Sequence, residues 1–144
     1  MRCLLYRADN KRSSINRADT MNGLKTLNEC FIEACQTHKK KDVKALIRLG
    51  CDINCEDAKY QYTGLMRCAG PDFDMDIMDI VLQTEGVDVN RITDNCATAN
   101  ALQVACFYNK IQALDKLVSI PGLHVNSRNK EGDTAVLISA RIPK

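Results

Sequence analysis

The chain has 144 residues, 45% of them apolar, enough to bury one compact core or a short array of repeated units. Its 20 Lys and Arg stand against 18 Asp and Glu, a formal charge of +2 that is too even to build the long-range field behind nucleic-acid association, so nucleic acid is not an expected partner. No apolar run approaches the ~20 residues of a membrane helix, and the opening Met1-Arg2-Cys3-Leu4-Leu5-Tyr6-Arg7 breaks off too early for a secretory signal.

These features predict an intracellular protein, in the cytoplasm or the nucleus, without membrane insertion. The basic excess is local: residues 1–25 hold Arg2, Arg7, Lys11, Arg12, Arg17 and Lys25 against Asp9 and Asp19, so the remainder carries a net −2. Leu4-Leu5 reads as the tail of an earlier helix, and residues 1–16 as a partial unit or flexible basic lead. Within it, Lys11-Arg12-Ser13-Ser14 reads as a solvated loop, with a basophilic-kinase site as the sharper alternative.

The first helical stretch is Phe31–Cys35, followed by Val43, Leu46 and Ile47 at the i, i+3, i+4 spacing of one apolar stripe. That stripe ends at Gly50-Cys51-Asp52-Ile53-Asn54. The pattern recurs as Leu65–Ala69, then Met78, Val81 and Leu82, then Gly86-Val87-Asp88-Val89-Asn90. It recurs again as Leu102–Cys106, then Leu114, Leu117 and Val118, then Gly122-Leu123-His124-Val125-Asn126. The three pentapeptides share the form Gly-x-x-(Ile/Val)-Asn at a constant step of 36 residues.

A fixed period in this range marks stacked repeats. Each Gly falls where a helix must stop and the backbone turn through positive φ. The second and third units carry one more residue between stripe and Gly than the first, an insertion that a loop absorbs cheaply. Small pairs (Ala34-Cys35, Cys68-Ala69, Ala105-Cys106) on the first helix of each unit permit close approach of a neighbouring helix. The units run over residues 17–54, 55–90 and 91–126, with a partial one at 127–144 in which Val136-Leu137-Ile138 faces little. That last feature suggests a short or fragmentary array.

Asn129-Lys130-Glu131-Gly132-Asp133-Thr134-Ala135-Val136-Leu137-Ile138-Ser139-Ala140 resembles the D-x-x-G-x-T-P-L-H-x-A opening of ankyrin repeats. Thr63-Gly64-Leu65-Met66-Arg67-Cys68 and Asn100-Ala101-Leu102-Gln103-Val104-Ala105 look like degenerate copies, and the pentapeptides resemble the closing G-A-D-V-N. The intact TPLH box is absent, and the period is 36 where 33 is usual. The resemblance implies an all-α solenoid of helix-turn-helix units with hairpin-like loops. It also implies non-enzymatic binding of a protein partner through the concave face, with no small-molecule substrate and no cofactor.

By that resemblance, contacts come from the fingertips between units and from the end of the inner helices. These place Lys59, Tyr60 and Tyr62, then Phe107 and Tyr108, at the binding face, with Lys130, Glu131, Asp133 and Arg141 as a polar rim and Gln36 and Thr37 at its start. Tyr and Phe combine large area with low ordering cost, which suits interface anchors; for Tyr62 and Phe107 the alternative is gap-filling between repeats. Two other classes of function remain open. One is a regulatory or substrate-recruiting segment of a larger enzyme, channel or ubiquitin-ligase adaptor; the other is a redox-responsive thiol protein working through a surface Cys55 or Cys96.

Eight cysteines lack the Cys-x2-Cys spacing of zinc or thioredoxin-like sites, so reduced, packed thiols are expected and a Cys51/Cys55 zinc site with His38 or His124 is not. Asp72, Asp74 and Asp76 begin like a calcium loop, but Ile77 stands where that loop needs Gly and Gln83 where it needs Glu. Capping of the following helix is the expectation. No phosphate loop or nucleophile motif appears, and nothing local presents a Cys106–His124 pair.

Overall fold

The computed structural model describes residues 25–143, Cys96 excepted. The basic lead over 1–16, the first residues of the unit at 17–54 and the Lys11–Ser14 loop lie outside the described residues. Among the described residues there are seven helices: α1 (Leu27–Gln36), α2 (Lys40–Arg48), α3 (Gly64–Ala69), α4 (Met75–Leu82), α5 (Ala101–Phe107), α6 (Ile111–Val118) and α7 (Ala135–Arg141). Among the described residues there is no strand, only an isolated antiparallel bridge between Glu56 and Thr63. The chain is all-α.

Polar side chains start five of these helices by satisfying amides that have no partner within the helix, whereas α2 and α6, with Lys39 and Lys110 at the N-cap, have no side-chain cap. Thr26 forms a capping box with Glu29: its hydroxyl accepts from the Glu29 amide at 3.2 Å, and its own amide donates to the Glu29 carboxylate at 2.8 Å. Thr63, Asn100 and Thr134 cap α3, α5 and α7 from one register, accepting from the amides of Met66, Gln103 and Leu137. Asp74 caps α4 through the Ile77 amide at 3.1 Å.

Helices pair within units, α1 with α2, α3 with α4 and α5 with α6, and the first helices then contact one another in series, α1 to α3 to α5 to α7. Glycines let these inner helices meet closely. A Cβ on Gly64 would sit 2.6 Å from the Phe31 ring of α1, and one on Gly70 would sit 2.2 Å from Val104 of α5. The core between them holds Phe31, Leu46, Met66, Ile77, Val81, Val104 and Leu117. Burying a side chain of this size contributes about 1.5–3 kcal/mol.

Each pentapeptide glycine has positive φ: 90° at Gly50, 85° at Gly86 and 81° at Gly122. In the first unit Gly50 follows directly on the helix C-cap, and the Cys51 amide closes back on the Leu46 carbonyl at 3.2 Å. The later units take up the inserted residue in an extra turn, Val87 to Thr84 and Leu123 to Ile120, both at 3.3 Å.

The invariant Asn ties each unit to the next. Asn54 donates to the Gly86 carbonyl at 2.9 Å and accepts from the Asp88 amide at 2.8 Å. Asn90 repeats the clamp on the Gly122 carbonyl at 2.9 Å and the His124 amide at 2.7 Å. The recurring sequence is therefore a joint between neighbouring units. Polar contacts add to it at the start of the second helices, a hydrogen bond between His38 and Asp74 at 3.0 Å and an ion pair between Lys40 and Asp76 at 2.7 Å.

The third stripe differs from its expectation. Ala113 and Leu117 are the buried pair of α6, Leu114 is half-buried, and Val118 is 58% exposed. Its counterpart Leu82 packs against the core. The same register position thus faces water on α6. Ile138, expected to face little, is buried, whereas Val136 and Leu137 are exposed.

Candidate functional site

The loop over residues 56–63 is built around Asp57. One carboxylate oxygen accepts from the Tyr60 amide at 2.6 Å, and the other accepts from Arg67 Nε at 3.0 Å and Nη2 at 2.8 Å. Arg67 also reaches Asp72 through Nη1 at 3.3 Å. With Arg67 only 7% exposed, both charges are satisfied away from bulk water, which is the condition under which a buried cation is tolerated.

The guanidinium then serves as a floor for aromatic rings. It lies 5.2 Å from the Tyr60 ring centroid and 5.4 Å from that of Tyr62, within cation–π range, and the Lys59 ammonium lies 4.9 Å from Tyr60. Tyr60 and Tyr62 are 6.1 Å apart, tilted by 37°. The next loop holds Tyr60 from the far side, because Asn95 donates to its carbonyl at 3.0 Å. Asn129 repeats that tether one loop later on the Ala97 carbonyl at 2.8 Å.

On α5, Phe107 and Tyr108 meet edge-on at 5.1 Å. The Tyr108 ring packs over Gly70. Burial and the neighbouring Tyr62 hydroxyl push the Tyr108 phenol above the ordinary range. Tyr60, Tyr62, Arg67 and Tyr108 thus form one cluster spanning three inner elements. An open groove of about 820 Å³ adjoins it, walled by Asn28, Glu29, Ile32, Glu33 and Gln36 of α1 and by the 56–60 loop with Arg67. Its charges nearly balance: Glu29, Glu33, Glu56 and Asp57 face Lys25, Lys59 and Arg67.

Of the residues singled out in the sequence, Lys59, Tyr60, Phe107, Tyr108, Lys130 and Glu131 are exposed. Tyr62 is not: at 6% exposure its hydroxyl bonds Thr98 Oγ1 at 2.9 Å, so it fills the space between two units. Asp133 is likewise buried at 5%, paired with Arg141, and belongs to the support rather than the rim. Arg67 and Asp57 had no assigned role in the sequence, and a lone Arg on a short helix carries no signal of burial. Gln103 likewise carries no sequence signal of its role. It is 1% exposed, accepts from the Ala99 amide at 2.7 Å and donates to the Ser127 carbonyl at 2.8 Å, anchoring the loop that carries Lys130 and Glu131.

Among the described residues the free cysteines, Cys35, Cys51, Cys55, Cys68 and Cys106, pack against the core as small apolar groups. Cys35 and Cys68 are fully buried, and the hydrogen bond between their thiols, with burial, drives the Cys35 thiol upward. Burial pushes Cys51 up to about 11 and Cys55 up to about 12, which leaves Cys55 a poor nucleophile at neutral pH. Cys96 lies outside the described residues. Cys30 departs from the expectation of reduced thiols, being disulfide-bonded. The carboxylates of the 72–76 run go to three destinations, Asp72 to Arg67, Asp74 to the α4 cap and Asp76 to Lys40. No group of three metal-ligating side chains converges among the described residues, and no helix there is long and apolar enough to cross a membrane.

No protein-family model matches the chain, and no curated protein matches it.

Proposed function

We propose that the chain is an ankyrin-type solenoid that binds a protein partner non-covalently, through the face formed by the loop tips and the inner helices. The reading rests on one observation above the others. Tyr60 is 43% exposed, yet its amide, carbonyl and ring are each fixed, by Asp57, Asn95 and Arg67 respectively. An aromatic side chain presented to solvent in a set position loses little entropy on docking, which is what an anchor requires. Tyr108 and Phe107 extend the same kind of surface, and the adjoining groove supplies room and mixed polar partners for an extended segment. Such a site recognises and holds; its chemistry is adhesion, and the protein acts as a scaffold.

Replacing Tyr60 and Tyr108 together with Ala tests this. Affinity purification with mass spectrometry identifies the partner, and titration calorimetry then measures the variant. The expected loss is about 1 kcal/mol or more, roughly fivefold in Kd, with an unchanged circular-dichroism spectrum. Unchanged affinity in a folded variant would place the binding face elsewhere.

A further inference from the structure

The outer helix of the first unit carries a charge that its neighbours lack. Lys39, Lys40, Lys41, Lys44 and Arg48 fall within ten residues, and Asp42 is the one carboxylate among them. Val43 and Leu46 of α2 are buried against the core. At 3.6 residues per turn, Lys41, Lys44 and Arg48 stand on the opposite side as one exposed stripe at i, i+3 and i+7. That side looks outward from the stack. The flank towards the next unit is marked by Lys40, which reaches Asp76 of α4 at 2.7 Å.

Elsewhere the basic groups at the joints find a carboxylate about one repeat away. Lys116 pairs with Asp79 at 2.6 Å, Arg91 with Glu56 at 3.0 Å and Lys130 with Asp94 at 3.4 Å. Lys39, Lys41 and Lys44 are all exposed and form no ion pair among the described residues. Matching the buried Met78 and Val81 of α4 to Val43 and Leu46 puts Asp76, Asp79 and Gln83 at the equivalent outward positions. On α6 the outward positions hold Gln112, Asp115 and Ser119. Unmatched positive charge is therefore confined to α2 on a surface that otherwise balances.

We propose that the α2 stripe docks a short acidic segment of a partner protein, with Asp or Glu side chains seated on Lys41 and Lys44 and Lys39 at one end. Charge complementarity selects the sign of the occupant. The stripe sets its length, since Lys41 to Arg48 spans about 10 Å of helix, two turns, room for two or three carboxylates. A nucleic acid fits poorly: α2 offers no aromatic ring on which a base could stack, and Asp76 and Asp79 alongside repel a continuing phosphate backbone. An anionic membrane would meet the same carboxylates, and the apolar side of α2 is already spent in the core. No residue of α2 lines the groove beside the tyrosine cluster, so the proposal does not depend on that face.

Fluorescence anisotropy tests it with the full chain and a labelled peptide of about twelve residues, Glu and Ala only, its Glu at helical spacing. Saturable binding is expected at about 20 mM salt and weaker binding at about 150 mM, as screening requires. Combining Lys39→Gln, Lys41→Gln and Lys44→Gln is expected to lower affinity about tenfold, the sum for three exposed pairs. The circular-dichroism spectrum should not change, because Gln is as good a helix former as Lys. Removing the same charge elsewhere, by Lys110→Gln, Lys116→Gln and Arg128→Gln together, should leave affinity within about twofold. The proposal is overturned by a wild-type chain that does not bind at low salt, by a folded α2 variant that binds as wild type does, or by a control that loses as much. Tighter binding of a single-stranded oligonucleotide or of phosphatidylserine vesicles than of the peptide, lost in the α2 variant, equally rejects an acidic polypeptide as the occupant.

Discussion

The Asn clamp between units carries its own internal control. Asn54 and Asn90 each make two hydrogen bonds to the backbone of the following unit, whereas Asn126 has no following pentapeptide to reach among the described residues. A hydrogen bond of this kind contributes a net ~0.5–1.5 kcal/mol. The clamps are exposed, so water replaces part of what is lost, and Asn90→Ala is expected to cost about 1–2 kcal/mol rather than the upper sum. For a chain of this length that lowers Tm by roughly 2–8 °C. Urea unfolding followed by circular dichroism, with Asn54→Ala, Asn90→Ala and Asn126→Ala side by side, measures the difference. The account expects the first two to be destabilised alike and Asn126→Ala to lie within about 0.5 kcal/mol of wild type, as surface substitutions do. If Asn126→Ala cost as much as Asn90→Ala, the Asn would be serving its own turn, and the joint between units would not exist.

Two further tests concern charge and thiols. Burial alone would raise the Asp74 carboxyl, but hydrogen bonds from the Ile77 amide and from His38 outweigh it and hold the group below its ordinary range. A depressed folded-state pKa gives stability that is present above the unfolded value near 3.8 and lost as pH falls through the folded value. Asp74→Asn keeps a capping acceptor and removes the charge, so it is expected to be less stable than wild type above about pH 4, with the gap closing below that; a gap that persists unchanged at about pH 2 would contradict this. For the thiols, alkylation of the native protein at about pH 8, read residue by residue by mass spectrometry, is expected to leave Cys51 and Cys55 unlabelled until denaturant is added. Rapid native labelling of Cys55 would restore the redox reading.

The helices and their glycine stops were legible because each rests on a local rule. Val43 and Leu46 share a stripe through helical periodicity, and Gly50, Gly86 and Gly122 mark positive φ through the steric cost of any other residue. The pentapeptide was visible too, but the task of its Asn was not, since the partners lie 32 and 34 residues away. Tyr62, Asp133 and Val118 show the limit from another side. Their exposure depends on which neighbour happens to lie beside them: Tyr62 bonds Thr98, Arg141 pairs with Asp133, and Val118 is exposed where its counterpart Leu82 packs against the core. Arg67 was illegible for the same reason, as its burial is permitted only by Asp57 and Asp72 arriving from flanking loops.

The central functional claim is that a polypeptide docks across the Tyr60–Tyr108 face. Hydrogen exchange with mass-spectrometric readout, comparing the free chain with its complex with the purified partner, tests that most directly. The account predicts new protection over residues 56–62 and 105–110 with α2 and α4 unchanged. Protection confined to α2 and α4, with the tyrosine loop exchanging as before, would contradict it.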